Sequence, residues 1–360
     1  VISPQFHILA LTPHGTSDPA IAIAASRAGE LGVLDLQRRL VRPHPDNAQR
    51  RDDARAALAV LAARAGAPFG IKLDTRDAGL LDDLMAAAPD GLTLVILDHE
   101  ATDALPRAIS SLRAKGLSVL VEVTDLPQAL SAVGAGATGV IAKGHEAGGR
   151  VGEESTFVLL QHLLGALDAP VYAHGGIGLH GAAACYAAGA AGVVLDSQLF
   201  LTRESTLSDA VKEKIAAMDG SETAVLGTRL GAPYRLYARP GLAALEELRA
   251  LESRYETMEA TSADLVKDWR DAVESRIGWG SPAGSVYALG QDAAFAASLA
   301  DRFVSVSGVL SAIRTAIAGH CSTAGELRPL EENAPLARAH ATRYPIVQGP
   351  MTRVSDTAAF

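Results

Sequence analysis

A chain of 360 residues is long enough for one α/β barrel of ordinary size plus an appended domain, and 48% hydrophobic content with only 4% aromatic residues excludes a disordered chain. The formal net charge of −9 disfavours nucleic acid and anionic membrane surfaces as partners, since both need clustered Lys and Arg. Cys185 and Cys321 lack CxxC or histidine spacing, so neither a disulfide framework nor a zinc site is expected, and free thiols suit a reducing compartment.

From the start, no charged segment leads into an apolar signal core, and no apolar run reaches the eighteen or so residues of a membrane helix. A cytoplasmic location is therefore expected. The first two hundred residues alternate short β-rich apolar runs with Ala-rich amphipathic stretches, the pattern of parallel strands joined by crossover helices. Eight such runs occur: Phe6 to Leu11, Gly32 to Leu36, Phe69 to Leu73, Leu92 to Asp98, Ser118 to Val123, Gly139 to Ala142, Val171 to Ala173 and Gly192 to Leu195. That number predicts a (β/α)8 barrel over residues 1–205, since a doubly wound sheet more often stops at five or six strands.

After Ser205 the character changes. Leu207 to Ala217, Leu242 to Thr257 and Ser262 to Ile277 read as charged amphipathic helices, with an Ala-rich apolar helix from Asp292 onward. A helical C-terminal region over 206–340 is expected, its halves separated by the turn residues of Gly278 to Gly284. The segment Ile346-Val-Gln-Gly-Pro-Met-Thr-Arg-Val-Ser355-Asp356 aligns without gaps on Ile8-Leu-Ala-Leu-Thr-Pro-His-Gly-Thr-Ser17-Asp18. Both read as a strand, a polar loop and a Ser-Asp helix cap, so a second barrel copy is expected to start within 341–360, unless strand-then-cap segments merely look alike. The sequence ends at Phe360 inside what reads as a helix start, and the natural polypeptide is expected to continue.

Two loops carry the candidate chemistry. The sixth run leads into Gly144-His145-Glu146-Ala147-Gly148-Gly149-Arg150-Val151-Gly152, at the end where barrel enzymes keep their active-site loops. Paired glycines let backbone N–H groups approach an anion or a flat ring, although such a turn can equally be structural. The seventh run leads into Ala173-His174-Gly175-Gly176-Ile177-Gly178 and an Ala-rich helix whose N-terminus would face an anion, and the eighth ends in Leu195-Asp196-Ser197-Gln198. In this fold, phosphate sites commonly form from the loops after strands seven and eight.

The order GxEAGG, HGGIG, Ala-rich helix and GAAGVVLDSQLFLTRES resembles the nitronate monooxygenase and FMN-dependent enoyl-thioester (enoyl-ACP) reductase family, also described as 2-nitropropane dioxygenase-like barrels. Val225-Leu-Gly-Thr-Arg229 and Leu289-Gly290-Gln291-Asp292 extend the resemblance over most of residues 6 to 320. It implies an FMN-dependent oxidoreductase with NAD(P)H as a potential electron donor. FMN phosphate would rest on Gly175, Gly176, Gly178 and Ser197, with the ring near Lys72, Lys143, Gly148 and Gly149. On the residues alone, Lys72 and Lys143 could instead pair with carboxylates at the barrel mouth. His145 is the candidate proton-transfer group and Arg150 the candidate oxyanion partner. His14, His99 and His174 end strands on the same rim, without the spacing of a metal site.

The chain departs from the family pattern at four places. The flavin-facing Gln-Gly-Pro-Met stretch is replaced around Thr12, the Asn after the third strand is Lys72, the His after the paired glycines is Arg150, and the Gly ending strand eight is Asp196. A carboxylate there would repel a phosphate by about a kcal/mol or more. Val347-Gln348-Gly349-Pro350-Met351-Thr352 keeps the stretch that the first copy lacks. Duplicated barrels of this family are expected mainly in polyketide-synthase-type assembly lines. That context implies an acyl carrier protein and a second barrel as partners, and a small-molecule or carrier-bound substrate. The alternative is a catalytically degenerate barrel acting as a scaffold or docking domain beside an active copy.

Overall fold

The computed structural model describes residues 6–37, 47–66, 68–75, 77–99, 104–258, 262–281 and 283–346. Eight parallel strands close into a barrel: β1 (His7–Leu11), β2 (Leu31–Asp35), β3 (Phe69–Leu73), β4 (Leu92–Asp98), β5 (Ser118–Val123), β6 (Gly139–Lys143), β8 (Val171–His174) and β9 (Gly192–Leu195). A helix follows each of β1 to β5, the two-residue strand β7 (Gly149–Arg150) and helix Thr156–Ala166 lie between β6 and β8, and helix Leu179–Ala188 joins β8 to β9. The ring closes where β9 pairs with β1, Val194 opposite Leu9. This is the (β/α)8 barrel that eight apolar runs predict, with the strands placed to within a residue or two.

The strand period of two explains how the barrel interior is divided. Leu9, Leu11, Val33, Leu94, Ile96, Leu120, Ile141, Tyr172 and Val194 form one buried cluster. Two residues beyond members of this cluster stand six titratable groups, Asp35, Asp98, Glu122, Lys143, His174 and Asp196, and Lys72 on β3 joins them opposite Asp35. The apolar layer holds the barrel closed, and a layer of titratable groups sits above it at the C-terminal rim.

Residues 207–317 are not purely helical. Thr223–Leu226 (β10) and Tyr234–Tyr237 (β11) form an antiparallel hairpin that pairs with β7, Tyr234 opposite Arg150. Their β-branched and aromatic content favours strands, but each run is only four residues long. A separate core of Leu226, Tyr234, Leu236, Leu245, Leu248, Trp269 and Val273 lies behind this sheet, with Trp269 Nε1 donating to the Ala232 carbonyl at 2.9 Å. The compact units are residues 1–317 and 318–360, so the change of character near Ser205 falls inside the first unit. The expected start of a second barrel falls almost wholly on 347–360, outside the described residues. No single helix among the described residues is long and apolar enough to cross a membrane.

Candidate active site at the barrel rim

A cleft enclosing about 970 Å³, counting its open mouth, lies over the C-terminal ends of the strands. Its floor is the titratable layer. Lys72 Nζ contacts Glu122 Oε1 at 2.9 Å and Asp35 Oδ2 at 3.7 Å, while Lys143 Nζ reaches Glu122 Oε2 at 3.6 Å. His174 lies between two acids, with Nδ1 3.3 Å from Glu122 Oε1 and Nε2 3.1 Å from Asp196 Oδ2. Strand register makes these contacts, since Asp35 is opposite Lys72, Asp98 opposite Glu122 and Lys143 opposite His174. Of the two sequence-level alternatives for Lys72 and Lys143, the structure shows the carboxylate pairing.

Burial penalises every charge in this layer, so its partners decide the net effect. For Glu122, burial raises the carboxyl, but Lys143, Lys72 and His174 outweigh it and hold the group well below the usual carboxylate range. Burial also raises Asp196, and the His174 contact reverses this to about 2. His174 is pushed down by burial and up by Asp196 and Glu122, ending above an ordinary histidine. Lys72 is raised because Glu122 and Asp35 outweigh its burial. Lys143 differs: burial, helped by the Lys72 charge, prevails over Glu122, Asp196 and Asp35, and its amine is lowered.

Beside the cleft lies the predicted phosphate cradle. Gly175 and Gly176 adopt φ of +112° and +67°, which glycine permits readily. Donors from both loops meet there, on the protein's own carboxylates. Gly176 N–H donates to Asp292 Oδ2 at 3.1 Å, Ser197 Oγ to Asp292 Oδ1 at 2.9 Å, and Gln198 Nε2 to Asp292 Oδ2 at 3.1 Å. Ser197 N–H is taken by Asp196 Oδ1 at 2.5 Å. Asp292 comes from the 3-10 turn Gln291–Phe295, anchored by Gln291 N–H to the Glu146 carbonyl at 2.8 Å. Gly178 caps helix Leu179–Ala188, and a Cβ on it would meet the Phe295 ring at 3.3 Å.

The paired glycines serve two different purposes. A Cβ on Gly148 would lie 2.3 Å from the Ala288 carbonyl oxygen, so that glycine exists for backbone packing. Gly149, with φ of +75°, faces the cleft, and a Cβ there would lie 3.9 Å from Lys143 Nζ. Arg150 lines the cleft and is held by the His99 carbonyl at 2.7 Å and Gln128 Oε1 at 3.4 Å. His145 is not among the cleft-lining residues, and its Nδ1 is 2.7 Å from the Gly152 carbonyl oxygen. The other three histidines of the expected rim set, His14, His99 and His174, line the cleft. Thr12, at the first departure from the family pattern, accepts from Asp35 N–H at 2.9 Å and ties β1 to β2.

Sequence reasoning missed Asp35, Asp98, Glu122 and Asp292 as site residues. The first three were findable, because each stands two positions beyond an inward apolar residue on a strand already recognised. Asp292 had no local signal, since its role depends on contacts more than ninety residues away.

The family model for nitronate monooxygenase matches residues 2–300. The chain belongs to the nitronate monooxygenase family. Two curated relatives share one name, (3aS,4S,5R,7aS)-5-hydroxy-7a-methyl-1-oxo-octahydro-1H-indene-4-carboxyl-CoA dehydrogenase. The protein from Mycobacterium tuberculosis is 32% identical over 225 residues, 59% of this chain and 58% of the relative. The protein from Rhodococcus jostii is 38% identical over 129 residues, 36% of each chain. The chain thus spans less than two thirds of the length of either relative. FabK from Thermotoga maritima superposes with a TM-score of 0.68 at 25% identity, over 90% of this chain and 95% of FabK. Nitroalkane oxidase from Streptomyces ansochromogenes shares the fold, with a TM-score of 0.63 at 21% identity over 88% and 96% of the two chains. Membership places this nitronate monooxygenase-family chain in the class of flavin-type oxidoreductases.

FMN is the group that the family implies, and the rim does not fit its phosphate. Three donors of the cradle are committed to Asp292 and a fourth to Asp196, whose carboxyl the His174 contact lowers. A phosphate dianion would have to displace one carboxylate and lie beside the other.

Proposed function

We propose that this chain is a flavin-type oxidoreductase-family barrel that has closed its FMN phosphate site with its own carboxylates and serves as a scaffold or docking barrel beside a flavin-bearing partner. The convergence of Gly176 N–H, Ser197 Oγ and Gln198 Nε2 on Asp292 carries this reading. It makes the cradle self-satisfied, so folding itself opposes the cofactor. The test is flavin absorbance after the purified chain is mixed with FMN and passed through a desalting column. The expected result is a colourless protein. Retention of one FMN per chain would overturn the proposal. Replacing both carboxylates by residues that leave the cradle empty, Asp196→Gly with Asp292→Ala, should restore uptake, because it frees Gly176 N–H, Ser197 N–H, Ser197 Oγ and Gln198 Nε2.

A second reading, an FMN-dependent oxidoreductase of enoyl-thioester reductase or nitronate monooxygenase type, is favoured by one observation. The same donors form a cradle built for an oxyanion, and Asp292 is the stand-in. Under it, FMN would supply the redox chemistry, and an acyl carrier protein and NAD(P)H would be the partners to test. FMN retention by the unmodified chain decides between the two readings.

A further inference from the structure

The two rim lysines share Glu122 but differ in what else holds them. Lys72 has two carboxylates, at 2.9 and 3.7 Å. Lys143 has one carboxylate at 3.6 Å, beyond hydrogen-bonding distance, and Lys72 stands behind that same carboxylate as a like charge. The Lys143 side chain is 10% exposed and lines the cleft, and beside Nζ lies Gly149, where even an added Cβ would stand 3.9 Å away. The groups facing Lys143 come from five elements: Asp35 on β2, Lys72 on β3, Glu122 on β5, His174 on β8 and Asp196 after β9. Burial and Lys72 weaken its hold on the proton, while the carboxylates oppose them. A desolvated lysine beside another cation is the arrangement that makes an amine nucleophilic near neutral pH.

The cleft also limits what reaches that amine. Six carboxyl groups line it against Lys72, Lys143 and Arg150, so an anionic ligand is disfavoured. One wall is aromatic: Trp279 stacks on Tyr287 at 5.8 Å and meets Phe200 edge-on at 5.4 Å.

We propose that Lys143 is a carbonyl-capturing nucleophile, its Nζ adding to the C=O carbon of a neutral aldehyde or ketone in the rim cleft to form an imine. In the addition step the C–N bond forms as the neutral amine attacks, and the carbonyl oxygen takes a proton to give a carbinolamine. In the dehydration step the C–O bond breaks and the hydroxyl leaves with a second proton as water. Counting the proton that the attacking nitrogen releases, one proton is consumed overall to give a protonated imine. His174, opposite Lys143 in the strand register and held between Glu122 and Asp196, is the adjacent acid that supplies it. No oxidant or reductant is consumed. This role uses neither the phosphate cradle nor FMN, and it rests on the scaffold reading in that the rim beside Lys143 is left to the carbonyl ligand.

The experiment is reductive trapping on the full chain. Benzaldehyde and sodium cyanoborohydride are added near neutral pH, and the benzylated lysine is identified by peptide mass mapping. Lys143 should be labelled at least ten-fold faster than Lys115, Lys212, Lys214 and Lys267, and the preference should vanish in denaturant. Methyl pyruvate should label it faster than pyruvate after each is normalised to its rate with Nα-acetyl-lysine. The Lys143→Arg variant should lose only the selective label. Labelling of Lys143 no faster than the other lysines, or equal normalised rates for the ester and the anion, would overturn the proposal. Selective trapping in a protein that retains FMN would overturn the scaffold reading alone, since the label reports on the Lys143 amine itself.

Discussion

Replacing Asp292 by Asn should make the protein more stable above neutral pH. Asp292 is 1% exposed, and burial, followed by the Asp196 charge, raises its carboxyl from the usual 3.8 to about 7. An acid raised on folding favours the folded state fully below its unfolded value, and this contribution is lost as pH rises through the folded value. The window here runs from about 4 to 7. A displacement of about three pH units at about 1.4 kcal/mol each puts the cost of ionised Asp292 on the order of 4 kcal/mol above pH 7. Asparagine fits the same contacts. Its Oδ1 can take the place of the oxygen that accepts from Gly176 and Gln198, and its amide can donate to Ser197 Oγ, a hydroxyl able to accept. Gln198 cannot turn over to spoil this, because its Nε2 also donates to the Ile177 carbonyl and its Oε1 accepts from Asp196 N–H. Thermal unfolding of both proteins at about pH 5 and about pH 8 checks the reasoning. At about 2–4 °C per kcal/mol, the variant's advantage should grow by several degrees between the two pH values. A difference that stays constant with pH, or a variant less stable at both, would refute it.

Three further outcomes follow from the rim. Lys72→Met should cost about 3–5 kcal/mol in a urea titration, because Glu122 and Asp35 lose their shared counterion, and Lys143→Met should cost clearly less; equal losses would contradict the assigned pairing. His174 should titrate above an ordinary histidine by NMR, and the stability it contributes, present below about 6.5, should be lost as pH rises through its folded value. His174→Gln should flatten that alkaline slope, and an unchanged slope would count against the clamp between Glu122 and Asp196. Gly148→Ala should destabilise by about 1–3 kcal/mol, since its Cβ would meet the backbone of Ala288 at 2.3 Å; a neutral effect would show that 288–290 can move aside.

The barrel was legible because eight apolar runs, each followed by a helical stretch, leave few other architectures, and strand identity depends on local composition. The loops GHEAGG and HGGIG were legible for a similar reason, as runs of residue types with unusual backbone freedom. What they bind was not. Ser197 is where a phosphate-binding residue should be, yet its hydroxyl is spoken for by Asp292, ninety-five positions later in the sequence. The β10–β11 hairpin was missed because four-residue strands give no measurable period, and Tyr234–Tyr237 is stabilised by pairing with β7 in a loop far upstream. His145 was a candidate for proton transfer because the loop's position was readable but the direction of its ring was not.

The separation between an apolar layer and a rim layer frees the fold from depending on what the rim binds. Leu9, Val33, Ile96, Leu120, Ile141 and Val194 hold the strands together whether or not a ligand sits above them. A phosphate site, in contrast, requires donors left unpaired until the ligand arrives, an arrangement that opposes folding by the desolvation of each group. Asp292 removes that opposition by supplying the missing acceptor internally, but its own ionisation is then resisted by burial and by Asp196. The strain has therefore moved from unpaired donors to a proton. The side of the rim that was not closed in this way is the one around Lys143 and Gly149, where the amine has one carboxylate within 4 Å and lines the cleft. Any chemistry this barrel performs unaided is to be sought on that side.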